Sequence, residues 1–251
     1  MLLILWILAA AGCDQQAMLE KFVPQEEAAI AKEVIGKLAE RNFDAAERSL
    51  ADHLRTPDVQ SKLAELARVL PEVKPKSVRT IGAHTMKTDS HTTYNLTFEY
   101  EFPESWVLAN VVLERRGQNL VVQGLHLTPN KQSLETVNRF TFEGKGLLHY
   151  VVLALALLIP VVVIYAFVLC VRTKLPKRKW LWLVFIAVGI VQFQFNWTDG
   201  AWAVQPISFA FLGAGFFRAG PSAPYIFTLA FPLGALLFLL KRQAQPRTAD
   251  A

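Results

Sequence analysis

The fold class read from this chain is an α+β domain over residues 20–142, three helices and then a four-stranded antiparallel sheet, followed by a C-terminal α-helical membrane domain over 143–251. Three observations carry that reading. Charge is divided unevenly: residues 14–146 hold 17 Lys and Arg against 19 Asp and Glu, whereas 147–251 hold 9 against 2. Hydrophobic residues make up 53% of the chain, more than an ordinary soluble protein needs. The hydrophobic period changes from helical to two after Pro75, and long apolar runs follow Gly146.

The elements follow in order. VPQEEAAIAKEVIGKLAERN (23–42) is an amphipathic helix with Ala29, Ile30, Val34 and Leu38 on its apolar stripe, and Pro24 suits its first turn. FDAAERSLADHL (43–54) is a second helix. In TPDVQSKLAELARVL a third has Thr56 as N-cap, Pro57 in the first helical position and Val59, Leu63, Leu66 and Leu70 as its stripe. Pro71 stops it.

Strands take over at 76–87. HTTYNLTFEYEF (91–102) alternates Tyr94, Leu96, Phe98, Tyr100 and Phe102 with polar partners, the pattern of a half-buried strand. Turns at TDS, PES and RGQ separate strands at 76–87, 91–102, 106–115 and 119–127. Counting back from TDS sets His84 opposite Asn95. The last two strands are apolar on both faces and call for cover on both sides.

Beyond Gly146, residues 146–171 run 26 positions without a formal charge, enough to cross a bilayer, with Pro160 in the middle. Residues 180–196, bracketed by Trp180, Trp182 and Trp197, and 223–240, closed by Lys241 and Arg242, are expected as two more helical spans. Residues 201–217 contain Gln205, Pro206, Gly213 and Gly215, a poor simple span, and read as a re-entrant or interfacial piece. Three crossings put both RTKLPKRK (172–179) and KRQAQPR (241–247) in the cytoplasm, as the positive-inside rule asks. The polar residues Gln192, Gln194 and Gln205 either cap helices or line a path.

The N-terminus fixes the direction. Residues 2–12 are an apolar run of eleven, too short to span but of the length of a secretory h-region. Ala10-Ala11-Gly12-Cys13 resembles the lipobox of bacterial lipoprotein signals, with Ala10 where Leu is usual. The resemblance implies a signal peptide over 1–12, a linker over 13–19, lipid (palmitate) attachment at Cys13, and a mature domain in the periplasm, held at the inner membrane; the cytoplasmic C-terminus follows from the three crossings. Asp14 resembles the residue that retains lipoproteins there. The helix–sheet order of 20–142 resembles the cone-shaped nuclear transport factor 2-like (cystatin-like) superfamily, which implies a pocket between sheet and helices and leaves its use open.

Chemistry is sparse. No GxSxG, HExxH, Walker or GxGxxG motif occurs. His53, His84, His91 and His126 have no spacing that gathers a metal site, and two cysteines far apart in the chain exclude CxxC redox chemistry. Glu99 and Glu101 share the polar face of a strand and are expected to be solvated. No catalytic residue, cofactor or metal is assigned, and the basic clusters beside apolar runs read as loop ends and not as nucleic-acid contacts. The expected partners are the lipid bilayer, an envelope protein and a small-molecule ligand of unknown identity. The leading function is a non-enzymatic inner-membrane lipoprotein with a periplasmic ligand- or partner-binding domain. The alternatives are an accessory subunit of a transporter or channel, and a small enzyme with its site in the cone.

Overall fold

The computed structural model describes residues 23–173 and 178–244. The lipobox, Cys13, Lys174, Lys177 and the tail beyond Ala244 lie outside the described residues. The chain is mixed α and β and divides into two compact units between Val137 and Asn138, with Gly220–Ser222 grouped with the first.

In the first unit, α1 (Gln25–Ala39) follows Pro24, whose carbonyl accepts from Ala28. Its buried stripe is Glu27, Ala28, Ala31, Val34, Ile35 and Leu38. This differs from the expected stripe: Ala29 is exposed, and Glu27 turns inward because Arg115 meets its carboxylate at 3.0 Å. A charge is buried only when paired.

The expected second helix breaks in two. After α2 (Phe43–Glu47) the chain leaves the helix, and only a single 3₁₀ turn returns at Asp52–Leu54. Between them Leu50 makes a parallel bridge to Val122, with Ser49 and Ala51 bonding the Val122 backbone. Covering that strand edge and burying Leu50 outweigh helical continuity. The third helix, α3 (Val59–Ala67), starts later than expected. Pro57 and Asp58 form a turn, and Thr56 Oγ1 donates to the Asp58 side chain at 2.6 Å instead of capping backbone.

The sheet is a meander, β1 (Ser77–Lys87), β2 (Thr92–Glu101), β3 (Trp106–Arg116) and β4 (Asn119–Asn130), each antiparallel to the next. His84 lies opposite Asn95, the register the turn implied. The alternation of β2 puts Leu96, Phe98 and Tyr100, with Phe102 just beyond, in one core with Val34, Ile35 and Leu38 of α1. Burying a side chain such as Phe98 stabilises by roughly 1.5–3 kcal/mol. The short α4 (Leu134–Val137) follows β4.

The second unit departs from the expected helical bundle. Its long helix, α5 (Leu147–Arg172), matches the first apolar run and contains Pro160. The stretch 180–196, expected as one helix, is α6 (Lys179–Ala187) running directly into β5 (Val188–Asn196). The stretch 223–240, also expected as a helix, is β8 (Ile226–Phe231) running into α7 (Leu233–Ala244). Residues 201–217 are β6 (Trp202–Phe211) and β7 (Ala214–Phe217). The sheet order is β6-β5-β8-β7.

Sequence explains the change. Gln192-Phe193-Gln194-Phe195 alternates with period two, which a helix would scatter over all faces. Pro232 cannot donate to a ladder yet precedes a helix well, so strand becomes helix there. Consecutive β6 and β7 sit at opposite edges, joined only by Leu212 and Gly213, both with positive φ. That link runs close beneath the sheet: a Cβ on Gly213 would lie 2.8 Å from Ile159 Cγ2, and one on Gly189 3.0 Å from the Gly213 Cα. Only glycine fits at these two places.

Candidate functional site

The first unit contains a cleft of about 490 Å³ between α1, the segment 70–75 and one end of the sheet. Helical spacing brings Lys32, Ile35, Gly36, Ala39 and Glu40 of α1 to one side of it. Leu70, Pro71, Val73 and Pro75 form a second wall, and Val78, Tyr100 and Phe102 the floor. In the ladder Tyr100 is flanked by Val78 on β1 and Val107 on β3, so its ring is fixed from both sides.

Two features of this cleft work against the stability of the empty protein. Tyr100 is only 7% exposed, yet its hydroxyl has no hydrogen-bond partner. A buried unpaired hydroxyl costs about 1–3 kcal/mol. Burial also pushes the phenol above its usual pKa, so the group stays a neutral donor. Gly36 lies mid-helix with nothing within 4 Å of where a Cβ would stand. Glycine there costs roughly 1 kcal/mol relative to alanine. Lys32 and Lys74 are matched on the rim by Glu40 and Glu72, so the mouth has no net charge.

On the opposite sheet face, Glu99 corrects the expectation of a solvated carboxylate. It is 1% exposed; one oxygen meets Arg79 Nη2 at 2.6 Å, and the other accepts the Leu134 backbone N–H at 2.6 Å. Arg79 also reaches Glu135 at 3.3 Å. This carboxylate is fully engaged in fastening α4 to the sheet. Glu101 is half-buried and accepts from Ser77 Oγ at 2.7 Å.

A second hollow of about 370 Å³ is lined by Asp52, His53, Glu114, Arg116, Asn119 and Gln123 among others. Arg116 pairs with Glu114. His84 and His126 face Asn95 and Asn110 across their ladders, and His91 Nδ1 sits near Thr88 and Ser90 hydroxyls in the turn. Among the described residues no three His, Cys, Asp or Glu come together as metal ligands.

In the second unit an apolar cavity of about 510 Å³ lies between Leu153, Ala156 and Leu157 of α5 and Phe216, Tyr225 and Phe227. Phe195, Trp197 and Phe227 pack against Val152, which fixes one sheet face toward α5. By alternation the other face presents Gln192, Gln194, Gln205 and Thr228, and the register breaks between Ile190 and Gln192. Beyond the break Phe209, Phe211 and Phe231 are exposed. Gln192 is opposite Gln205 and accepts from Ser208 Oγ at 2.7 Å. The three glutamines therefore share a face, which sequence spacing alone could not establish. Tyr100 was legible as a core position, but its unpaired hydroxyl had no sequence signal.

No protein-family model matches this chain, and no curated protein or solved structure matches it either.

Proposed function

We propose that the chain is a non-enzymatic lipoprotein of the bacterial inner membrane, whose first unit stands in the periplasm as a binding domain and whose second unit anchors it. The observation that carries the reading is α5. It is 26 residues long, apolar throughout its middle, and turns its side chains outward, Leu157 being 67% and Val161 62% exposed. A soluble core helix hides such side chains; a helix facing lipid does not. Exposed aromatic side chains of the second unit support the same reading, Phe209 being 73% and Phe211 74% exposed on β6. Lipidation at Cys13 and a cytoplasmic C-terminus complete the topology. The cleft beneath α1 is the binding site of the domain.

Carbonate extraction tests the anchor. With Cys13→Ser the chain should remain in the alkali-resistant membrane pellet, because α5 holds it without the lipid; release into the supernatant would contradict the reading.

A second reading, an accessory subunit of a transporter or channel, is favoured by β6. It pairs with β5 on one side only and is exposed along most of its length. An open strand edge at membrane depth needs a protein neighbour. In-membrane crosslinking from positions on β6 should then capture one partner in stoichiometric yield.

A further inference from the structure

The apolar cavity of the second unit opens on the surface that the anchor reading sets in lipid, and the inference rests on that reading. Two of its walls reach the outside, Leu157 of α5 being 67% and Phe216 of β7 64% exposed. At 1.5 Å per residue, Leu153 and Leu157 stand roughly 9 and 15 Å along α5 from Leu147. With the first unit in the periplasm, α5 enters from that side, so this is the depth of acyl chains in the periplasmic leaflet. Of the side chains that line the cavity only Tyr225 carries a polar atom. Water needs about two to four polar partners, so this space suits hydrocarbon, and the bilayer supplies it at the open walls.

A cation stands beside the cavity. The Arg218 guanidinium lies 4.9 Å from the centre of the Tyr225 ring, and that ring is part of the cavity wall. Arg218 Nε donates to the Ala223 carbonyl at 2.8 Å, which holds the side chain at the ring. From 200 to 244 the sequence contains Arg218, Lys241 and Arg242 and no Asp or Glu. Lys241 and Arg242 belong to the last turn of α7, so Arg218 is the basic residue of this segment near the cavity. A zwitterionic headgroup brings its own cation to its phosphate, whereas an anionic one leaves the phosphate charge to the guanidinium.

We propose that this cavity seats one acyl chain of an anionic phospholipid of the periplasmic leaflet, with the headgroup phosphate at Arg218. The apolar walls hold the chain and are indifferent to the headgroup. Arg218 supplies the preference for negative charge.

The probes are dioleoyl phosphatidylglycerol and dioleoyl phosphatidylcholine, offered in equal amounts to the full chain in detergent micelles, with the retained lipid counted by native mass spectrometry. One phosphatidylglycerol per chain is expected, retained about fivefold over phosphatidylcholine. Arg218→Gln should bring that ratio near one, and Arg218→Lys, which keeps the charge, should hold most of it. Ala156→Leu fills the cavity from α5 and should lower the retained lipid of both kinds several-fold; Ala156→Phe should remove it. Carbonate extraction and circular dichroism check that each variant stays folded in the membrane. Equal retention of the two lipids by the unmutated chain, or a ratio unchanged in Arg218→Gln, would overturn the headgroup assignment. Unchanged retention in both Ala156 variants would overturn the cavity as the seat of the chain. No retained lipid on a chain that carbonate leaves in the pellet would overturn the proposal and leave the anchor reading standing. Release of the unmutated chain by carbonate would overturn both.

Discussion

Arg79 and Glu99 lie opposite each other on β1 and β2, and their 2.6 Å contact holds a carboxylate that is buried beneath α4. Arg79 itself is 38% exposed, so only the glutamate depends wholly on the pair. Removing the arginine leaves a buried charge with a single backbone N–H. Arg79→Met should therefore destabilise the first unit by roughly 3 kcal/mol, the low end for an orphaned buried ion. Urea unfolding followed by the Trp106 signal measures it, and a loss below about 1 kcal/mol would mean that Glu99 is held by other means.

The core of the first unit is built from its own elements. Residues 20–142 expressed alone should be soluble and melt cooperatively without disulfides. Aggregation or a broad, non-cooperative melt would indicate that the sheet needs cover from the rest of the chain.

Gly36 offers a gain. Gly36→Ala removes the glycine penalty and meets no neighbour, so it should raise stability by about 1 kcal/mol. A loss on denaturant titration would show that the space above Gly36 is not open.

The Asp58 carboxyl is held well below its ordinary value, at about 2, first by its bond to Lys62 and then by Thr56. A depressed folded pKa contributes stability above the unfolded value of about 3.9 and loses it as pH falls toward 2. Carboxyl NMR titration should find Asp58 ionised at pH 3, and Lys62→Met should return it toward the ordinary range. A midpoint near 4 in the unmutated protein would contradict the pairing seen at 2.8 Å.

Legibility followed the range of the interactions. The β2 alternation and the His84–Asn95 register were readable because a turn and a period of two are local. Glu99 was not, since alternation says which face a residue takes and not what later segment covers that face; Leu134 comes 35 positions on. Helix 43–54 failed because Val122, far along the chain, claims the Ser49 carbonyl and the Ala51 N–H on either side of Leu50. In the second unit, span length and apolarity cannot tell a buried strand from a helix. The Gln-Phe alternation at 192–195 was the available signal, and hydropathy outweighed it. The unpaired Tyr100 hydroxyl exists only in the folded geometry.

The central claim is that the first unit faces the periplasm while the basic segments 172–179 and 241–247 face the cytoplasm. Single cysteines at Ser105, Lys177 and Gln245, in a Cys170→Ala background, report it directly through an impermeant thiol reagent applied to intact spheroplasts. The prediction is that Ser105→Cys is labelled at once and the other two only after the membrane is broken. Labelling of Gln245→Cys from outside would add a crossing and overturn the re-entrant reading of 201–217. Protection of Ser105→Cys would contradict the topology outright.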